Sequence, residues 1–167
     1  MNSNRMKEIR LEKVILHCST ADQQKLDKYF KLLEMISRKK PVKTLAKKRI
    51  PSFKIRPGLP IGCKVTLRGQ DAENILKIVL TGIKEIGEKQ FGQGYLNFGI
   101  KEYIEIPSLT FQRDIGILGF DVTAVLSRAG FKIKNKKNAK GRIGKNHKIS
   151  KEETINFFKK NFNINIK

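Results

Sequence analysis

Hydrophobic and polar positions along this chain repeat with two periods, and the changes of period outline its elements. In residues 61–68, Ile61, Cys63, Val65 and Leu67 alternate with Gly62, Lys64, Thr66 and Arg68. A period of two belongs to a strand with one apolar and one polar face, and this is the cleanest strand in the chain. Residues 8–17 are rich in Ile, Leu and Val and predict another. Ile9, Leu11 and Ile15 share a phase that Lys13 interrupts, which marks a place for a β-bulge. Leu26, Tyr29, Phe30, Leu33 and Ile36 recur at three and four. That spacing predicts a helix over residues 21–37, capped by Thr20 or Asp22. Ile75, Leu76, Val79, Ile83 and Ile86 form a second such stripe, with Asp71 as a cap and an end near residue 86. Further strands are predicted over 42–45, 96–106 and 117–126. Ser150-Lys151-Glu152-Glu153 is a capping box that opens a last helix, with Ile155 and Phe158 on one side.

Between these elements lie two segments of other composition. Residues 49–60 hold Pro51, Pro57, Gly58 and Pro60, a density that excludes a regular element and predicts an exposed, partly stiff, hairpin-like loop. Residues 130–148 form a basic loop. Its part 130–146, made of cations, Asn and Gly with few apolar residues, predicts a segment without fixed structure until a partner binds. The order strand, helix, strand, strand, helix, strand begins as a split β-α-β layout. The predicted fold class is α+β: a mixed, largely antiparallel β-sheet with helices on one face and long basic loops. Residues 1–167 are expected to form a single RNA-binding domain, with Lys64, Thr66 and Arg68 on the free face of the sheet.

Charge is what makes RNA the expected partner. The chain of 167 residues carries 36 Lys and Arg against 15 Asp and Glu, a net charge of +21. Its distribution says more than its sum. Residues 38–68 contain 11 basic residues and no acidic one, and residues 130–151 contain 9 and none. The rest is almost neutral, with 16 basic and 15 acidic residues. A near-neutral body with two purely cationic segments is the footprint of a polyanion partner. No apolar run approaches the roughly 20 residues of a spanning helix, so no membrane partner is expected. Met1-Asn2-Ser3-Asn4-Arg5 has no apolar core, so no secretory signal is predicted.

The chain offers no catalytic constellation. It has two histidines. His17 ends a strand and reads as a structural or RNA-contacting group, and His147 lies in the basic segment as a phosphate contact or a solvated side chain. Glu102 and Glu105 read as exposed ends of a strand. Cys18 and Cys63 have no zinc-binding spacing and read as reduced thiols. Neither a metal nor a cofactor is implied. The element order is similar to that of the RNA recognition motif, but Tyr95-Leu96-Asn97-Phe98-Gly99-Ile100-Lys101 lacks the aromatic pattern of that module's central strand. Cations, hydroxyls and amides suit a folded RNA read by its shape. Two rivals are a free RNA-binding regulator or assembly factor, and an RNA-processing nuclease, which needs an acid–base or metal site that the sequence does not offer.

Pro60-Ile61-Gly62-Cys63-Lys64-Val65-Thr66-Leu67-Arg68-Gly69 resembles the core motif of the ribosomal protein L5 family, the 5S rRNA binders of the large subunit. Lys40-Pro41-Val42, Ala46-Lys47-Lys48 and Phe53-Lys54-Ile55-Arg56-Pro57-Gly58 are similar to it as well. So are Asn97-Phe98-Gly99-Ile100-Lys101-Glu102 and Asp114-Ile115-Gly116-Ile117-Leu118-Gly119-Phe120-Asp121. Residues 143–153, from Ile143-Gly144-Lys145 to Lys151-Glu152-Glu153, resemble the archaeal and eukaryotic branch.

The resemblance implies a structural, non-enzymatic constituent of the large subunit, located on cytoplasmic ribosomes, with a nucleolar assembly stage if the source is eukaryotic. It implies a 5S rRNA site of His17, Lys39, Lys40, Lys43, Lys64, Thr66 and Arg68. Thr66 matches an RNA-contacting threonine of the family, His17 stands where the family has Asn, and Lys39 where it has Gln. Arg49, Ser52, Phe53, Lys54 and Arg56 fall in the loop that reaches toward P-site tRNA. Lys132, Lys134, Lys136, Lys137, Lys140, Arg142, Lys145, His147 and Lys148 make a basic loop suited to large-subunit rRNA. Implied protein partners are a second 5S-binding ribosomal protein and neighbours in the central protuberance.

Overall fold

The computed structural model describes residues 4–83 and 85–164. Residues 1–3, where the sequence predicts no secretory signal, and position 84, inside the predicted second helix, lie outside them. Five strands, β1 (Ile9–Ser19), β2 (Val42–Leu45), β3 (Pro60–Leu67), β4 (Tyr95–Ile100) and β5 (Phe120–Arg128), form one sheet in the order β2-β3-β1-β5-β4. All four neighbouring pairs are antiparallel. β1 and β2 run parallel with β3 between them, joined over α1 (Gln23–Ser37), which is the expected split β-α-β unit. The interruption at Lys13 is a bulge: the register of β1 on β5 shifts between Leu11 and Lys13, leaving Glu12 as the extra residue.

Alternation along each strand builds the core. Val14, Leu16 and Cys18 of β1 point to the same side as Cys63, Val65 and Leu67 of β3 and Val122, Ala124 and Leu126 of β5, and all are buried. α1 lays Leu26, Leu32 and Leu33 on this side, and α2 (Gln70–Thr81) lays Ala72, Ile75, Leu76 and Val79. α3 (Lys151–Phe162) adds Phe158, fully buried, with its ring 6.0 Å from that of Phe91. α1 starts at Asp22, whose carboxylate accepts from the Gln24 N–H. α3 starts at the predicted capping box, with both reciprocal hydrogen bonds formed.

Three elements depart from the sequence expectation. α2 is capped by Gly69, not by Asp71, which sits in its first turn. It stops at Thr81 rather than near residue 86, with Gly82 as its C-cap; there the lack of a side chain lets the Glu105 carbonyl come close, since a Cβ would lie 2.9 Å from its oxygen. The chain turns there, and Ile86 is buried from a non-helical segment. The strand predicted over 96–106 leaves the sheet after Ile100. Tyr103 then turns inward in a 3-10 turn, fully buried, its hydroxyl accepting from the Gln112 N–H at 2.9 Å. The last strand covers Phe120–Arg128 instead of 117–126. Ile117, at its expected start, is 62% exposed.

Candidate nucleic-acid interface

The side of the sheet away from the helices carries the complementary set of strand positions. His17 of β1 lies between Lys64 of β3 and Asp121 of β5, and Ile15 lies between Thr66 and Thr123. Asn97 of β4 faces Thr123, and Gly99 faces Asp121. Lys64, Thr66, Asn97 and Asp121 are exposed, and His17 is half-buried. Arg68 follows β3, with its guanidinium 3.5 Å from the carboxylate of Glu12, the bulge residue, and the Lys13 ammonium is 4.0 Å from the same oxygen. A shallow depression of about 720 Å³ runs over this surface, lined among others by His17, Thr44, Lys64, Asn97 and Asp121. Ammonium, imidazole, hydroxyl and amide groups in this depression can meet phosphate oxygens and ribose 2′-hydroxyls together.

Lys39 and Lys43, named with these residues on sequence grounds, do not share the surface. The alternation that leaves Val42 and Thr44 on the open side turns Lys43 toward the helices. Its ammonium lies 3.0 Å from Asp27 of α1 and 5.9 Å from the Phe30 ring centroid. Lys39 follows the left-handed Arg38 that ends α1, and its ammonium meets Asp71 of α2 at 2.6 Å. Lys40 is exposed in the turn before β2. Both ion pairs are exposed and contribute about 0–1 kcal/mol each, so they hold the lysines only loosely.

The proline-rich loop is a short finger. Its base is closed by the Ala46 N–H donating to the Leu59 carbonyl at 2.8 Å and the Gly58 N–H donating to the Ala46 carbonyl at 3.0 Å. Farther out, Ile50 and Ile55 exchange hydrogen bonds of 3.0 and 3.1 Å across a bridge. The tip is a 3-10 turn over Pro51–Phe53, closed by Lys54 in the left-handed conformation. The hairpin-like loop expected from the sequence is thus a minimal hairpin with one bridge. Arg49, Ser52, Phe53, Lys54 and Arg56 are all exposed around it, Phe53 by 67%.

In the basic loop, Lys132, Lys134, Lys136, Lys137, Lys140, Arg142, Lys145 and Lys148 are exposed. Within it, 3-10 turns cover Phe131–Asn135 and Lys145–His147. Two side chains pin the segment. His147 is half-buried, with Nε2 2.8 Å from the Ala129 carbonyl oxygen and its ring edge-on to Phe131. A carbonyl only accepts, so Nε2 carries the proton. Arg128, nearly buried at the end of β5, donates to the carbonyls of His147 and Lys148, both at 3.4 Å, and to Glu153 at 2.6 Å. The Ser150 N–H, followed by the Arg128 guanidinium, holds the Glu153 carboxyl below the usual carboxylate range against the opposing effect of its burial. These few fastenings replace the apolar core that the loop's composition lacks.

Cys18 and Cys63 are direct partners across β1 and β3, both buried and free. The contact between the two thiols, then burial, pushes the Cys18 thiol up. Among the described residues no three His, Cys, Asp or Glu side chains come together as a metal would need, and no helix is long and apolar enough to cross a membrane.

Sequence reasoning missed Lys13, Asn97, Thr123 and Asp121 on the open face, and Arg128 beneath the basic loop. Asn97 was findable from its alternation with Leu96 and Phe98. Arg128 carried no signal, because an arginine ending a strand reads as exposed.

Residues 4–56 match the family described as ribosomal protein L5, and residues 60–157 match the model for the C-terminus of the same ribosomal family. The chain is similar to the large ribosomal subunit protein uL5 of Methanococcoides burtonii, with 38% identity over 98% of this chain and 99% of that protein. The same holds for uL5 of Sulfurisphaera tokodaii, 41% identical over 98% and 94%, and of Nanoarchaeum equitans, 38% identical over 96% and 97%.

Proposed function

This chain belongs to the ribosomal protein L5 family, which makes it a structural, non-enzymatic constituent of the large ribosomal subunit, and from that premise we propose that it binds 5S rRNA on the open face of its sheet and reaches P-site tRNA with its finger. The whole chain acts in this reading as one RNA-binding domain at the central protuberance of cytoplasmic ribosomes, beside a second 5S-binding protein. The observation that carries it is the side-by-side placement of His17, Lys64 and Thr66, with Arg68 at the margin, on a sheet face that no α-helix among the described residues covers. Thr66 offers a hydroxyl that both donates and accepts, and the cations around it supply phosphate contacts. The basic loop, which carries 8 exposed cations, is the element for large-subunit rRNA.

Amide NMR of the full chain titrated with 5S rRNA tests this division of labour. The amides of His17, Lys64, Thr66 and Asn97 are expected to shift, and those of Leu32 and Val79 on the helix side to stay. Shifts concentrated on the helices would overturn the assignment of the face.

A further inference from the structure

Beneath the basic loop lies a cavity of about 440 Å³, within the ~300–1,000 Å³ range of small-molecule sites. Its floor is apolar: Leu126 of β5 and Ile149 are buried, and Phe131 and Ile143 are half-buried beside them. Its rim is cationic, with Lys134, Arg142 and Lys148 all exposed. None of these three forms an ion pair with the described residues, and no acidic residue lines the cavity. Gln93 adds an exposed amide at the mouth. The walls are held in place without a ligand. Ile133 packs where a side chain at Gly141 would stand, the Gly141 N–H donates to the Ile133 carbonyl at 3.4 Å, and His147 braces Phe131.

Two requirements define the occupant. A phosphate alone would satisfy the three cations but leave the apolar floor facing water. A purely apolar group would cover the floor and leave the cations idle. A flat aromatic ring joined to phosphates answers both, and in folded RNA that is an unstacked base, which proteins hold on aromatic rings or guanidinium planes. We infer that this cavity receives one unstacked nucleobase of rRNA between Phe131 and Arg142, with the flanking phosphates on Lys134, Arg142 and Lys148. The inference rests on the reading of the basic loop as an rRNA-binding element and names what that element grips.

The full chain, labelled at Ile and Leu methyls, is titrated with AMP and UMP, and separately with ribose 5-phosphate. The nucleotides are expected to shift the methyls of Leu126, Ile143 and Ile149, and ribose 5-phosphate is not. Equal shifts from ribose 5-phosphate, or none from either nucleotide, overturn the base site. Two variants then separate this inference from the reading beneath it, with an unshifted Leu16 methyl certifying the fold. Ile143→Trp fills the cavity and keeps every cation, so it is expected to weaken binding to large-subunit rRNA about tenfold with the salt dependence unchanged. Replacing Lys134, Arg142 and Lys148 together by Gln lowers both the affinity and the salt slope. If only the Gln variant loses affinity, the loop binds phosphates alone and the base site is wrong. If neither does, the loop is not an rRNA-binding element and both readings fail.

Discussion

Arg128, at the end of β5, donates a 2.6 Å hydrogen bond to Glu153 in the first turn of α3. The same carboxylate accepts from the Ser150 N–H at 3.0 Å and completes the capping box. One side-chain pair therefore couples the sheet, the basic loop and the last helix.

The consequence is a contribution to stability that depends on pH. Glu153 has its carboxyl lowered in the folded chain, so the unfolded chain binds its proton first as pH falls. The stabilisation is fully present above the unfolded carboxyl value near 4.3 and is lost as acidification passes below it through the lowered folded value. Glu153→Gln keeps the cap geometry and leaves the Arg128 charge unpaired. It is expected to cost about 1–2 kcal/mol at neutral pH, because the glutamate's exposure screens the pair and discounts the larger penalty of a fully buried one. Urea denaturation of both proteins from pH 7 to 3 checks this. Their stability curves are expected to converge in the acid range, and a constant gap would assign the loss to packing instead.

The open sheet face makes Thr66 the sharpest probe of 5S binding. Thr66→Val keeps the β-branched shape and removes the hydroxyl, so it is expected to weaken 5S rRNA binding by about 1–2 kcal/mol with little change in folding stability. Filter binding at fixed salt measures it. Equal affinities for the two proteins would mean that RNA lies elsewhere.

Lys64 and Lys43 belong to adjacent, paired strands but project to opposite sides of the sheet. Lys64→Gln is expected to weaken 5S binding several-fold more than Lys43→Gln, because only Lys64 presents its ammonium to the open face. If the two losses are the same, attraction by overall charge outweighs placement.

The segregated charge sets a salt dependence. With about 8 phosphate contacts, log affinity for 5S rRNA is expected to fall with log salt at a slope near −6. A slope shallower than about −2 would remove the cationic segments from the binding account.

The finger offers a separation of roles. Replacing its tip, residues 51–54, by Asn-Gly retains the Ile50–Ile55 bridge on a two-residue turn. The sheet and 5S binding are expected to persist while P-site tRNA is retained less well on assembled ribosomes. Unchanged tRNA retention would show that the finger is a solvated connector, and loss of 5S binding would make it part of the 5S site.

The sequence by itself determined whatever depends on local period and composition. The alternation of Ile61 to Arg68 placed Lys64 and Thr66 on one face, the stripe from Leu26 to Ile36 marked α1, Ser150 and Glu153 marked the start of α3, and the two acid-free segments named a polyanion partner. Tertiary structure decided what depends on a neighbour distant in the chain. β2 alternates too briefly for its sequence to say that Lys43 turns to α1; its pairing with β3 does so. α2 stops at Thr81, where Gly82 leaves room for the Glu105 carbonyl, and the strand after Tyr95 ends at Ile100, beyond which Tyr103 turns into the core. Arg128 and His147 fasten the basic loop through contacts that its composition does not announce, since hydrogen bonds to strand and helix ends can hold a segment that has no core of its own. Periodicity is written residue by residue, whereas the partner across a gap exists only once the chain has closed it.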